Sequence, residues 1–305
     1  MFNFYGDDIS AFQIISLILY VVLAPFAGGL IAGIDRKVTA RMQGRVGPPV
    51  LQPFYDVGKL LQKEAVTVGR GAQDFYVMCC LIFMIIAGAF FFFGFNLLMV
   101  VFTLTTASIF LVVAGYSSNS PYAQIGAERE LLQMMSYEPM VLLTAVGLFM
   151  VNGSFNVENI IGNEVFSLKF LPGIFIGYLF IITIKLRKSP FDLSMSHHAH
   201  QELVKGLTTE FSGKTLAALE ISHWYENIFL LGFIFLFFAN GTWYMAVIGI
   251  AAVVVCYFLE ILIDNGYARM KWQFTLKSAW IMTLIFGGAN IFVLYYLRGY
   301  LWLAA

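Results

Sequence analysis

The sequence predicts an all-α polytopic membrane protein, with about eight transmembrane helices and an amphipathic interfacial helix in the first long loop. Three observations carry this. Of the 305 residues, 60% are hydrophobic and 12% charged, where a soluble domain carries about 25% charged residues. Apolar runs recur near the length of about 20 residues that a spanning helix needs. Sixteen of the eighteen Lys and Arg residues fall on alternate connections between those runs, the bias that sets orientation across a membrane. Such a composition excludes a soluble enzyme, a nucleic-acid binder and a disordered chain. Eighteen acidic residues balance the basic ones, so no polyanionic partner is implied.

Taken in order, residues 1–12 carry Asp7 and Asp8 and no basic residue, unlike a secretory leader, which opens on positive charge. The first span is expected at 13–34, the second and third at 76–95 and 97–116. The fourth, 139–152, is short and has Glu138 at its lip. The fifth, 171–184, ends in Lys185, Arg187 and Lys188. The sixth, 228–239, is also short, but a helical stretch with Glu220, His223 and Glu226 precedes it. The last two are 242–259 and 278–297. Only Lys169 and Arg298 lie off the basic connections. Both termini are therefore expected outside, with the loops 35–75, 117–137 and 185–214 in the cytoplasm. No repeat, linker or low-complexity stretch interrupts residues 1–305, which read as one membrane domain.

The first long loop begins DRKVTARMQGRVGPP, with turn signals at Gly44, Gly47, Pro48 and Pro49. It continues with Leu51, Phe54, Val57, Leu61 and Ala65 at helical spacing and Gln52, Asp56, Lys59 and Lys63 on other faces. That pattern fits a helix at the interface. It serves either as a surface anchor or as one wall of a site between the bilayer and a docked partner. In the second loop, Glu128, Arg129 and Glu130 precede Glu138. Glu130 and Glu138 fall two helical turns apart on neighbouring faces. Glu128 and Arg129 also fit a solvated ion pair. A carboxylate at the edge of hydrocarbon, such as Glu138, is costly and usually functional.

The third loop is the most polar. His197, His198, His200 and Glu202 crowd into a few residues, a poor clamp for zinc, whose sites need fixed spacing and a distant ligand. Hydrogen bonding to a partner surface fits them better, and no metal site is expected. Glu202 and Glu210 flank Gly206, and Glu220 and His223 share a helix face, with Glu226 a turn further on. Carboxyl groups of this kind either take up and pass on protons or are satisfied structurally by backbone donors and lysines. Cys79, Cys80 and Cys256 lie in apolar runs without ligand spacing and read as packing residues. No phosphate-binding loop, nucleophile elbow or cluster-binding cysteine motif occurs.

The blocks DRKVTARMQGRVGP…LQPFYDVGKLLQKE, GAERELLQMMSYE and SPFDL…QELVKGLTTEFSG resemble the ND1-like membrane subunit of complex I and its relatives. The resemblance covers essentially the whole chain. Three features set this chain apart from the quinone-reducing members. Only Pro49, Val50 and Leu51 separate Arg45–Pro48 from Gln52–Pro53, charged residues flank Arg129, and SMSHHAH follows FDL where acidic residues are usual. In these it is most similar to the membrane subunit of Ech-type energy-converting NiFe hydrogenase.

The resemblance implies a subunit without a redox centre of its own. The NiFe centre and iron–sulfur clusters are expected on partner chains: hydrogenase large and small subunits and an iron–sulfur subunit. These would dock on the inner loops and be coupled, through an antiporter-like membrane subunit, to movement of H⁺ or Na⁺ during ferredoxin-linked hydrogen evolution. Glu138, Glu202 and Glu210 match acidic positions of the family's proton path, and Glu128 and Glu130 match its hydrogenase branch. The residue-level reading adds Glu220 and His223. Asp35, Arg36, Asp56, Lys59 and Asp192 match charges near the redox arm, where Arg45 and the histidines His197, His198 and His200 are also expected. A quinone reductase or formate hydrogenlyase subunit is the nearest alternative. A stand-alone ion transporter is the alternative of another class.

Overall fold

The computed structural model describes residues 11–64, 72–191, 193–194, 203 and 205–303. Among them the regular structure is helical: α1 (Ala11–Met42), α2 (Gln52–Gln62), α3 (Ala72–Phe93), α4 (Leu97–Tyr116), α5 (Pro121–Asn152), α6 (Val157–Gly162), α7 (Ser167–Phe170), α8 (Pro172–Lys185), α9 (Gly213–Leu236), α10 (Trp243–Gly266), α11 (Trp272–Met282) and α12 (Ala289–Leu303). A 3₁₀ turn, Gly206–Thr208, precedes α9, and a π-helical turn, Thr283–Gly288, joins α11 to α12 into one rod. Helices suit a bilayer because every backbone polar group finds a partner within its own segment.

The stretches 13–42, 72–93, 97–116, 121–152, 243–266 and 272–296 are long and apolar enough to span. The shorter apolar α8 adds a seventh apolar segment, and the polar-headed α9 carries most of the run expected at 228–239 in its second half. Several boundaries differ from the sequence reading. The first span, expected to end at residue 34, runs on to Met42, so Asp35 and Arg36 lie within α1. The short run at 139–152 is the second half of α5, which starts at Pro121 and passes through Pro139. Pro121 sits where a helix tolerates it best, in the first turn. Pro139 removes one N–H from the ladder, a loss that membrane helices accommodate. Likewise the run ending at residue 259 continues to Gly266, so Glu260 and Asp264 lie within α10.

α3 runs against α4 and α9, α4 against α5, α1 against α9, and α5 against α8, α11 and the 3₁₀ turn. The buried core is aromatic. Phe91 stacks on Phe233 at 5.4 Å, and Tyr178 stacks on Phe233 at 5.7 Å. Two glycines allow helices to touch: a Cβ on Gly28 of α1 would overlap the Trp224 carbonyl of α9, and one on Gly126 of α5 the backbone of Leu207. The amphipathic α2 forms where expected. Its Val57 packs with Ala217 and Trp224, while Phe54 meets Trp224 at 5.1 Å. It therefore lies on α9 as well as beside α1.

Candidate functional site

The last turn of α8 and the residues after it read KLRK, and each of the three basic side chains turns inward to a different helix. Lys185 Nζ lies 2.9 Å from Glu226 Oε1 of α9. It also donates to Tyr137 Oη of α5 at 3.0 Å and Ser108 Oγ of α4 at 3.1 Å. These three acceptors use all three ammonium donors, and the charge also sits 4.4 Å from the Tyr137 ring centroid. The position at a helix C-terminus favours a cation. Both members of the ion pair are buried, their side chains 5% and 9% exposed.

Arg187 adopts a left-handed backbone, φ 54°, a conformation that L side chains rarely take. The chain turns there out of the helix, and its guanidinium meets Glu130 Oε1 of α5 at 3.1 Å. Glu130 also accepts from the Ser194 hydroxyl, and Gln133, nearly a turn along α5, donates to the Phe191 carbonyl. Lys188 pairs with Asp35 of α1 and lies 3.4 Å from Asp264 Oδ2 of α10. Asp264 Oδ1 accepts from the Ser189 amide at 2.8 Å, and Tyr257 donates to Asp35 at 3.4 Å. Glu260, one turn before Asp264, is buried at 3% exposure. It interacts electrostatically with Lys188 and Asp264 and lies within hydrogen-bond reach of Thr183 on α8.

The result is a layer of charge in which the end of α8 and the residues just past it supply the cations and α1, α5, α9 and α10 supply the carboxylates. Of the residues singled out from sequence, it contains Glu130, Asp35 and Glu226. Glu138 stands half-buried on α5 and interacts electrostatically with Lys185. Glu210 and Glu220 are half-buried, and Glu128 is exposed; these three have no part in the described ion pairs. His223 is half-buried on α9, near a turn before Glu226. Arg36 and Asp56 form an exposed pair at 2.8 Å between α1 and α2, while Arg45 and Lys59 are exposed. Asp192, His197, His198, His200 and Glu202 lie outside the described residues. Among the described residues no group of three His, Cys, Asp or Glu side chains is placed to hold a metal ion.

Sequence reading passed over Lys185, Arg187, Lys188, Glu260 and Asp264 as site residues. The three cations read as a topological signal, and the two carboxylates stood just past an apolar run. Their i, i+4 spacing on a continuing helix was the available clue.

The family model described as NADH dehydrogenase matches residues 14–295. An NADH-quinone oxidoreductase subunit of Bacillus cytotoxicus is 30% identical over 92% of each chain. The subunit of the same name from Geobacillus kaustophilus is 28% identical over 77% of this chain and 75% of its own. Among solved structures, a chain of the membrane-bound sulfane sulfur reductase, an archaeal respiratory membrane complex, has a TM-score of 0.81. It is 24% identical and covers 92% of this chain and 99% of its own, a likeness of fold.

Proposed function

The chain belongs to the NADH dehydrogenase family, and on that premise we propose that it is the coupling subunit of a complex I-like respiratory assembly. It anchors the peripheral redox subunits at its charged end and passes the energy of electron transfer to ion movement through membrane partners. One observation carries this: a layer of buried and half-buried charges joins α1, α5, α8, α9 and α10 at the end of the bundle where the polar loops emerge. Changing one charge in such a layer alters the balance of forces among five helices. With the positive-inside bias, that end faces the cytoplasm.

At finer grain we assign it to an Ech-like hydrogenase, with the NiFe centre and iron–sulfur clusters on partners. The connection between α1 and α2 supports this. It is short and lies flat on α1, with the Val50 carbonyl against Gly33 and Gly47 against Ala40. A connection closed in this way suits a subunit that admits no long-tailed quinone. The competing reading, a quinone reductase subunit, draws on the names of the relatives.

The deciding experiment is gentle purification of the native complex, with identification of accompanying polypeptides and measurement of nickel and iron. Nickel with hydrogenase subunits is expected. Robust, inhibitor-sensitive reduction of short-chain quinones without nickel overturns the hydrogenase assignment. For the coupling role, Glu138→Gln and Glu210→Gln are expected to assemble normally and keep dye-linked redox activity. Donor-driven ion uptake into inverted vesicles should collapse in both. Wild-type uptake in both variants would make these carboxylates structural.

A further inference from the structure

The ion pairs at the charged end match Lys185 with Glu226, Arg187 with Glu130, and Lys188 with both Asp35 and Asp264. A fifth carboxyl group, Glu260, shares this space without a place in any of these pairs. Its side chain is buried, and its Oε2 has no hydrogen-bond partner among the described residues. Such a group is costly to bury, and its persistence beside a cation is the observation to explain. Glu260 and Asp264 are four residues apart on α10 and so share a face. Lys188, on its long flexible stem, acts electrostatically on Glu260 while touching Asp35 and Asp264.

We propose that Glu260 is the alternate seat of the Lys188 ammonium, and that a proton and this ammonium exchange places between Glu260 and the Asp35–Asp264 pair. In one state Glu260 holds the proton and Lys188 bridges the two ionised aspartates. In the other, the O–H bond at Glu260 has broken and one has formed at Asp264 or Asp35. The ammonium then sits on ionised Glu260. One proton moves one way and one fixed cation the other, so the net charge of the cluster is unchanged. Lys188 keeps all its protons throughout. Among the described residues, Glu260 also interacts with Thr183 on α8 and, on its own helix, with Cys256 and Tyr257. The Thr183 hydroxyl, which also bonds the Leu179 carbonyl at 3.2 Å, can turn its single proton to Glu260 when that group is ionised and accept from it when it is neutral. The exchange loosens α1 from α8 in one state and ties α8 to α10 in both, giving the coupling reading on which it rests a defined moving part.

The test uses the native complex in inverted vesicles. Glu260→Gln and Glu260→Met both abolish the titrating group, and Met also removes the unpartnered oxygen. With either variant assembled, dye-linked activity should be retained while most of the ion movement per electron pair is lost. Wild-type ratios in an assembled variant overturn the proposal. If neither assembles, Glu260→Asp decides. A shifted pH profile of coupling supports exchange at this site, whereas an unchanged profile with full coupling marks the carboxyl as structural and overturns it. A wild-type complex that moves no ions overturns the coupling reading itself, a result distinct from any of these.

Discussion

α8 meets its neighbours differently at its two ends. At the start of the helix the bonds are made by neutral amides and hydroxyls. Asn290 of α12 accepts from the Ile174 amide at 3.1 Å and donates to the Phe170 carbonyl at 3.0 Å. Nearby, Asn152 donates to Ser167 and accepts from Asn163, each at 3.1 Å. At the far end, three cations are held by carboxylates from four other helices. Neutral bonds of the first kind are indifferent to proton concentration and membrane potential. Charged contacts of the second kind respond to both, and a change in any one shifts the others through a low-dielectric interior. Fastening and responsiveness are thus divided between the ends of one 14-residue helix.

The sharpest way to break this contrast is Lys185→Met. It strands the Glu226 carboxylate in a buried site, at a cost of about 3–5 kcal/mol. Thermal melting of the purified complex should register the loss, and Lys185→Met with Glu226→Leu should recover most of it. Failure of the double variant to recover would mean that the ammonium's bonds to Tyr137 and Ser108 matter more than the ion pair. Next in size is Glu130→Gln, which keeps shape but weakens the charged bond to Arg187. A loss of about 1.5–3 kcal/mol is expected, read in the same melting assay. At the neutral end, Asn290→Ala should cost about 1–2 kcal/mol for its two backbone bonds, with ion uptake per electron pair unchanged. Altered coupling there would erase the distinction between the ends. The smallest effect belongs to Arg36→Ala. Its pair with Asp56 has side chains 45% and 40% exposed, and such pairs contribute about 0–1 kcal/mol. Stability of the isolated subunit should scarcely move, so weakened retention of peripheral subunits would report a docking role instead.

The helices were legible in the sequence because hydrophobic length and charge bias are local signals. The amphipathic α2 was legible for the same reason, from the spacing of Phe54 and Val57. Boundaries slipped where polar residues continue a helix: Glu138 seemed to cap a span that in fact runs from Pro121, and Glu260 seemed to end one that runs to Gly266. The charge layer was legible only in part. Glu130 stood out as a carboxylate in a charged cluster, and the family resemblance pointed to Asp35. What could not be read was pairing. Lys188 and Asp35 are 153 residues apart, and nothing local distinguishes a lysine that marks the cytoplasmic face from one folded back against an aspartate. That distinction comes from helix packing, which sets α1 against α10 and places Asp35 and Asp264 beside Lys188.

α5 has 32 residues, and at 1.5 Å per residue it is about 48 Å long, well beyond the roughly 30 Å of a hydrocarbon core. A rod longer than the slab it crosses is tilted or protrudes, and here the surplus is the polar first half that bears Glu128 and Glu130. Held at Gly126 by the Gly206–Leu207 backbone and packed lower down against α8 and α11, it works as a lever. Under the proposed coupling role, a displacement of its polar arm would reach the stretch around Glu138.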